Sequence, residues 1–159
     1  MKKIFLAAVA AFISVTAFAQ QGDFKAGLNL VYGSEIENPG IGVKAQYYIL
    51  DEVRPEASFT YFFKKDGLKL WDINANLHYL FDLGTVAVYP LAGINYSHVS
   101  ADFGNNISAS EGKIGANIGG GIEYPLNDAI SLGAEVKYTI NNVFDNGQVV
   151  IGVGCTFKF

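Results

Sequence analysis

The feature that most constrains this chain is an alternation of apolar and small or polar residues, repeated in eight stretches. In the fourth stretch the apolar side chains of Trp71, Ile73 and Ala75 alternate with polar ones, and the eighth stretch ends on Phe159. Side chains of a β-strand point alternately to opposite faces, so a period of two indicates strands with one apolar face. The sequence therefore predicts an all-β fold of eight antiparallel strands.

The alternation also gives approximate limits for the strands. The eight predicted strands are residues 23–32, 41–50, 53–64, 71–81, 86–98, 114–124, 130–140 and 148–159. Pro90 lies inside the fifth strand and cannot donate a ladder hydrogen bond, so we expect a bulge or a local distortion there. Three consecutive glycines, Gly119 to Gly121, lie inside the sixth strand with no helix after them. They indicate a close backbone approach or sharp curvature and not a phosphate-binding loop.

The first residues have the pattern of a secretion signal. Two lysines precede an apolar run over residues 4–15, and a small-x-small cleavage site ends at Ala19. The run is shorter than the ~20 residues that a transmembrane helix requires. We therefore expect residues 1–19 to be a signal peptide, Gln20 to begin the mature protein, and residues 20–159 to form one barrel domain.

The apolar residues of this chain need a nonpolar environment, because half of all residues are hydrophobic and the mean hydropathy is +0.23. Beyond the signal, no second apolar run has helical length. A membrane barrel explains both facts, since each strand turns one face to lipid and the other to the lumen. The prediction is an eight-stranded antiparallel up-and-down transmembrane β-barrel of the outer membrane. A soluble secreted lipocalin-like ligand carrier is the alternative, but its solvent face should be rich in Lys and Glu, whereas here the non-apolar face is rich in Gly, Asn and Ser.

The connections between the strands suggest an orientation. Outer-membrane barrels have short periplasmic turns and longer outer loops. If the chain starts in the periplasm, the periplasmic connections are short, at residues 51–52, 82–85 and 126–128. The outer connections are residues 33–40, 65–67, 99–112 and 142–147, and three of these four are longer and rich in Gly, Asn, Ser and Asp.

Outward-facing aromatic residues fall at two heights, as expected for the two water–lipid boundaries. The girdle near the periplasmic rim contains Tyr47, Tyr79, Phe81 and Tyr124. The girdle near the outer rim contains Tyr32, Tyr61, Trp71, Tyr96 and Tyr138.

Ionisable residues of both signs share the inward face. This predicted lumen charge network consists of Lys25, Lys44, Arg54, Glu56, Asp72, His78, Glu123, Glu135 and Lys137. An isolated buried ion costs several kcal/mol, so opposite charges should pair or recruit water. The network either plugs the lumen or forms a charged constriction for small solutes. Eight strands leave an interior just wide enough for side chains, which favours the plug.

Candidate residues for catalysis or metal binding are few. The chain has only two histidines, interpreted as a hydrogen-bonding lumen residue at His78 and a solvated rim residue at His98, and one cysteine, interpreted as a small apolar residue of the last strand. No catalytic triad and no metal motif is evident, so we expect no enzyme activity, cofactor or metal. A formal net charge of −4 gives no indication of nucleic-acid binding.

The signal sequence, the eight alternating strands and the aromatic C-terminus resemble the small outer-membrane β-barrel proteins of the OmpA/OmpX type, especially the porin-like barrel family common in Bacteroidota. This resemblance implies that the last strand, through Val153, Phe157 and Phe159, is recognised by the barrel assembly machinery, although Cys155 is unusual in such a signal. It also implies contacts with outer-membrane lipid and lipopolysaccharide. The expected function is a structural or surface-interaction role, in which the extracellular loops contact an outside partner; a small passive diffusion pore is the alternative.

Overall fold

The computed structural model describes residues 22–65, 67–102, 108–141 and 147–159. The predicted signal peptide, residues 1–19, lies outside these ranges and stays a prediction. No helix long and apolar enough to cross a membrane occurs in the described ranges. The strands are β1 (Phe24–Gly33), β2 (Asn38–Tyr47), β3 (Val53–Lys65), β4 (Leu68–Tyr79), β5 (Phe81–Asp82), β6 (Ala87–Asp102), β7 (Ser108–Pro125), β8 (Ile130–Ile140) and β9 (Gln148–Lys158).

The strands form one closed antiparallel sheet. Each strand pairs with its neighbours in the chain, and β1 also pairs with β9, which joins the two ends of the chain. The short β5 continues the line of β4 beyond Leu80 and pairs with the start of β6, while β4 itself pairs with the rest of β6. The wall therefore has eight strands and no free edge. The predicted eight-stranded barrel is confirmed.

Burial alternates along the strands with the predicted parity. On β4, Asp72 and Asn74 are buried, whereas Ile73 is half exposed on the outside. The large apolar side chains of the other strands are likewise exposed on the outer surface, among them Leu30, Ile94 and Ile118. Apolar outside and polar inside is the reverse of a soluble barrel, so the lipocalin-like alternative is wrong.

The ends of the barrel differ from the predicted connections. We call the end with the chain termini and the turns at residues 48–52, 83–86 and 126–129 the terminal end, and the opposite end the far end. At the far end β6 and β7 pair as far as Asp102 and Ser108, so the predicted loop at residues 99–112 is too long. Beyond Val99 the two strands are held together by backbone hydrogen bonds and have no apolar face. The alternation of apolar residues therefore could not predict this part of the hairpin. Residues 103–107 and 142–146 lie outside the described residues.

Pro90 distorts the ladder without adding a residue. The register joining His78 to Leu91 is the same as that joining Phe81 to Val88, so the expected bulge is absent. Pairing is interrupted between these points, opposite Pro90, and the Leu80 amide instead donates to the Glu52 carbonyl at 2.7 Å. The missing amide hydrogen of proline explains the gap. A register shift occurs elsewhere, between residues 62 and 65 of β3.

Candidate functional site

Arg54 of β3 lies in the lumen, in the half of the barrel nearer the terminal end, and makes contacts across it. Its side chain is fully buried, and Nη1 donates to Glu123 Oε2 at 2.6 Å and to Tyr48 Oη at 2.8 Å. Nη2 lies 3.1 Å from His78 Nδ1, and the guanidinium packs over the Tyr89 ring at 5.0 Å. Arg54 thus connects β3 with β4, β6 and β7 across the interior. Planar guanidinium groups suit such multiple, directional contacts.

Glu123 of β7 is shared by two cations. Besides Arg54, it accepts a hydrogen bond from the Lys25 ammonium of β1, which also lies 3.4 Å from Ser131 Oγ. Lys25 on β1 and Arg54 on β3 both reach across the lumen to β7, so this one carboxylate joins three parts of the wall. Paired charges avoid most of the cost of an isolated buried ion.

Glu56 of β3 forms a second centre, one layer further into the barrel. Its Oε2 accepts from Gln46 Nε2 at 2.6 Å and lies 3.7 Å from Lys44 Nζ. Its Oε1 accepts from Asn76 Nδ2 at 3.4 Å and faces His78 Nε2 at 3.8 Å. Strands β2, β3 and β4 therefore meet at one buried carboxylate.

The protonation pattern of His78 follows from its neighbours. An arginine can only donate, so His78 Nδ1 accepts from Arg54 and the ring proton lies on Nε2, toward Glu56. The imidazole also stacks on Tyr89, with ring centroids 4.5 Å apart and an interplanar angle of 12°. This fixes His78 as a hydrogen-bonding lumen residue, the role expected from its position.

Glu56, His78 and Glu135 bring three potential metal ligands within 4.8 Å of one another. A metal-bound histidine normally donates its other ring N–H to an acceptor. Here that other nitrogen faces the Arg54 guanidinium, so binding a metal through Nε2 would require an imidazole without either proton. Lys44 further opposes a cation at this position. The residues present do not fit a metal ion.

Neutral polar side chains fill the middle of the lumen. Asn117 Nδ2 of β7 donates to Asn74 Oδ1 at 2.8 Å and to Asn76 Oδ1 at 2.9 Å, both on β4. Thr139 Oγ1 of β8 donates to Asn117 Oδ1 at 2.9 Å. The two bonds from Asn117 connect β7 with β4, which do not pair directly, so the interior is crosslinked well beyond its ion pairs.

An apolar cluster lies beside the polar network toward each end, and at the terminal end a cavity of about 570 Å³ reaches Lys25 and Glu123. The cluster at the far end contains Val31, Phe62, Leu70 and Val150. The cluster toward the terminal end contains Leu80, Tyr89 and Leu91. Between them, a cavity of about 20 Å³ borders Asn29, Lys44 and Lys137, which is room for about one water molecule. The described interior is therefore packed with side chains.

The structure brings together most of the predicted network but not all of it. Glu135 accepts from Tyr89 Oη at 3.0 Å, and Asp72 accepts from Asn74 Nδ2 at 2.7 Å. Over the described ranges, neither Asp72 nor Lys137 forms an ion pair. Tyr48 was missed as a network member. Its signal was available, since it shares the inward parity of Lys44 and Gln46.

Outward aromatics line both ends of the wall. At the terminal end Tyr79 and Phe81 lie in contact, with ring centroids 5.1 Å apart, and Tyr47 and Tyr124 stand at the same end of β2 and β7. At the far end Trp71 contacts Tyr96 at 5.8 Å, and Tyr32, Tyr61 and Tyr138 face outward at similar heights. Val153, Phe157 and Phe159 are exposed on the outside of the last strand and its end.

The chain is similar to known outer-membrane proteins. The sequence model of the outer membrane protein beta-barrel domain family matches residues 5–157. The N-terminal β-barrel domain of Pseudomonas aeruginosa OprF is 17% identical with a TM-score of 0.74, covering 87% of this chain and 100% of that one. Neisserial surface protein A is 21% identical with a TM-score of 0.69, covering 87% and 97%.

A third similar structure is Ail, the attachment invasion locus protein of Yersinia pestis, which is 16% identical with a TM-score of 0.62 and covers 87% of this chain and 97% of that one. Ail has also been solved in complex with the heparin analogue sucrose octasulfate. Among curated proteins, none matches the chain. The family match spans nearly every residue and agrees with the closed barrel, so the chain belongs to the outer membrane protein β-barrel domain family and is a protein of the cell outer membrane.

Proposed function

We propose that this protein is a non-catalytic barrel that presents its far-end loops for surface interaction, with its termini in the periplasm. The packed lumen is the observation that carries the proposal. A charged and polar network with an apolar cluster on its far-end side fills the described interior, in which the cavity beside Lys44 and Lys137 measures only about 20 Å³. What remains available for function is the outer wall and the exposed ends.

The connections at the far end are the proposed interaction surface. They include the turn at residues 34–37 and the segments that join β6 to β7, residues 103–107, and β8 to β9, residues 142–146. Loops placed on a rigid barrel are suited to binding because they vary without disturbing the wall. The names of two structural relatives, a neisserial surface protein and an attachment invasion locus protein, support this class of role. Lipopolysaccharide and an extracellular partner are the proposed contacts.

The last strand has a proposed role in biogenesis. Val153 lies outward at the middle of β9, and Phe157 and Phe159 lie outward near its terminal end, where the barrel assembly machinery could reach them before the barrel closes on β1. We propose that these residues form the assembly signal.

A planar-bilayer recording of the purified mature protein tests the proposed closed lumen. We expect no reproducible unitary conductance steps, because ions would have to pass the filled polar network and the far-end apolar cluster. Bacteria displaying the protein should meanwhile adhere to cultured cells in a manner that depends on the far-end loops.

Replacing residues 103–107 with a glycine–serine linker should remove adhesion, whereas the same exchange at residues 126–129, at the terminal end, should leave it intact. Unitary steps in the unaltered protein would instead support the diffusion pore. Adhesion that survives the far-end exchange would contradict the surface role of this loop.

A further inference from the structure

His98 lies on the outer wall of the barrel and not at a rim. The sequence pattern placed it at a strand end, but β6 continues four residues beyond it to Asp102. At ~3.4 Å per residue, this puts His98 about 14 Å along the strand from that end. Its parity is that of Ile94 and Tyr96, which are exposed on the outside. The expectation that His98 stands at the end of its strand is therefore wrong.

The His98 imidazole stacks on one aromatic side chain, and the hydroxyl of a second lies over its partner residue on β7. It stacks on the Trp71 indole with centroids 5.0 Å apart and an interplanar angle of 22°. Toward β7, His98 pairs with Gly112. The Tyr96 hydroxyl lies over that glycine, 2.1 Å from the position that a Cβ atom of residue 112 would occupy. The absence of a side chain at Gly112 thus makes room for the Tyr96 hydroxyl beside His98. No described residue forms a hydrogen bond with the His98 ring nitrogens.

The wall changes from apolar to polar at the height of His98. Toward the middle of the barrel, Ile73 and Ile94 are exposed on the same outer face. Toward the far end, the outward parity is occupied by Lys69 and Ser100, which pair across β4 and β6. Indole and phenol side chains at such a transition mark the level of the lipid head groups. A polar ring at this level finds its hydrogen-bond partners among those head groups.

We propose that His98 and Tyr96 form a site on the outer wall for the phosphate group of an outer-membrane lipid. An imidazole N–H and a phenol O–H are both donors, and phosphate oxygens are strong acceptors. The exposed isoleucines below would lie along the acyl chains of the same lipid. The site deepens the proposed function, because it specifies the lipid contact and depends on the same membrane position.

Native mass spectrometry of the full mature protein in mixed micelles tests the site. The probes are phosphatidic acid and diacylglycerol with the same acyl chains, which differ only in the phosphate. The unaltered protein should retain phosphatidic acid and lose diacylglycerol. His98→Phe keeps the stacking but removes the donor, and we expect about a tenfold fall in phosphatidic acid retention, as for one charge-assisted hydrogen bond.

Lys113→Gln is the matched control, because it changes a charge at the same end but on the lumen face, where Lys113 pairs with Glu111 at 2.6 Å. Its retention should equal that of the unaltered protein. A second measurement needs no variant: adding phosphatidic acid should shift the ¹⁵N signals of the His98 ring and leave those of buried His78 unchanged. Equal retention by His98→Phe, equal retention of diacylglycerol, or unmoved His98 signals would overturn the site. None of these results would alter the conductance or the adhesion of the loops.

Discussion

Arg54 shows how a single residue can hold a narrow barrel together. Its guanidinium is fully buried and contacts Glu123, Tyr48, His78 and Tyr89, so its removal would leave several polar groups without a partner. Breaking one side of a buried ion pair costs more than the pair contributes, because the remaining charge stays buried. The inner network is therefore a structural element whose parts are strongly interdependent.

We expect Arg54→Ala to lower the free energy of unfolding by about 3–5 kcal/mol. Urea titration in lipid vesicles, followed by the fluorescence of the single tryptophan, Trp71, measures this change. Lys113→Ala is the control, since its partner Glu111 is exposed and such surface pairs contribute less than about 1 kcal/mol. Similar losses in both variants would contradict a special role for the inner network.

The glycines of the inward face set how closely the strands and their contents can pack. At Gly119 of β7, an added Cβ would lie 2.2 Å from the Val136 carbonyl oxygen and 2.6 Å from the Lys137 Cα, both backbone atoms of β8. The ring of Tyr89 covers the neighbouring Gly121, where a Cβ would lie 2.5 Å from it. The three consecutive glycines predicted a close approach between backbones, and the structure has one at Gly119.

Gly119→Ala should destabilise the barrel by about 1–3 kcal/mol, because backbone atoms cannot move aside as a flexible side chain can. Gly133→Ala on adjacent β8 is the matched control, since its Cβ would meet no atom nearer than the Ile122 carbonyl oxygen at 3.6 Å. We expect that variant to remain within about 0.5 kcal/mol of the unaltered protein. Urea titration in lipid vesicles would give the two variants the same free energy of unfolding if the close backbone approach were absent.

At the scale of the whole molecule, the outer surface is defined by its contact with lipid. Ile94 lies outward near the middle of β6 with 62% of its surface exposed, and Leu83 lies in a turn at the terminal end with 65% exposed. Exposure alone does not distinguish them. Their depth does, because a charge costs most in the middle of the hydrocarbon layer and little at its boundaries.

Ile94→Arg should therefore destabilise the folded barrel in vesicles by about 2–4 kcal/mol, whereas Leu83→Arg should cost less than about 1 kcal/mol. The amount of folded protein, read from the difference in gel migration between boiled and unboiled samples, gives a first comparison, and urea titration gives the energies. If both substitutions were tolerated equally, the wall at Ile94 would not be in contact with hydrocarbon.

Some parts of this structure could be predicted because they depend only on local chemistry. Inward and outward positions on β4 follow from the two-residue period alone, and Tyr89 was placed inward despite the neighbouring proline. The limits of β6 and β7 could not be obtained in this way, since the hairpin beyond Val99 is held by backbone pairing and its side chains carry no alternation. His98 was consequently placed at a rim instead of on the wall.

The sequence by itself determined the number of strands, the face of each residue and the separation of apolar from polar surfaces, because these follow from the geometry of a single strand in two solvents. Only the tertiary structure decided which inward residues meet. Arg54 reaches Glu123, 69 positions away in the chain, because the stagger of the closed sheet brings those two strands to the same height. The stacking of His98 on Trp71 has the same origin, as it depends on the register between β4 and β6.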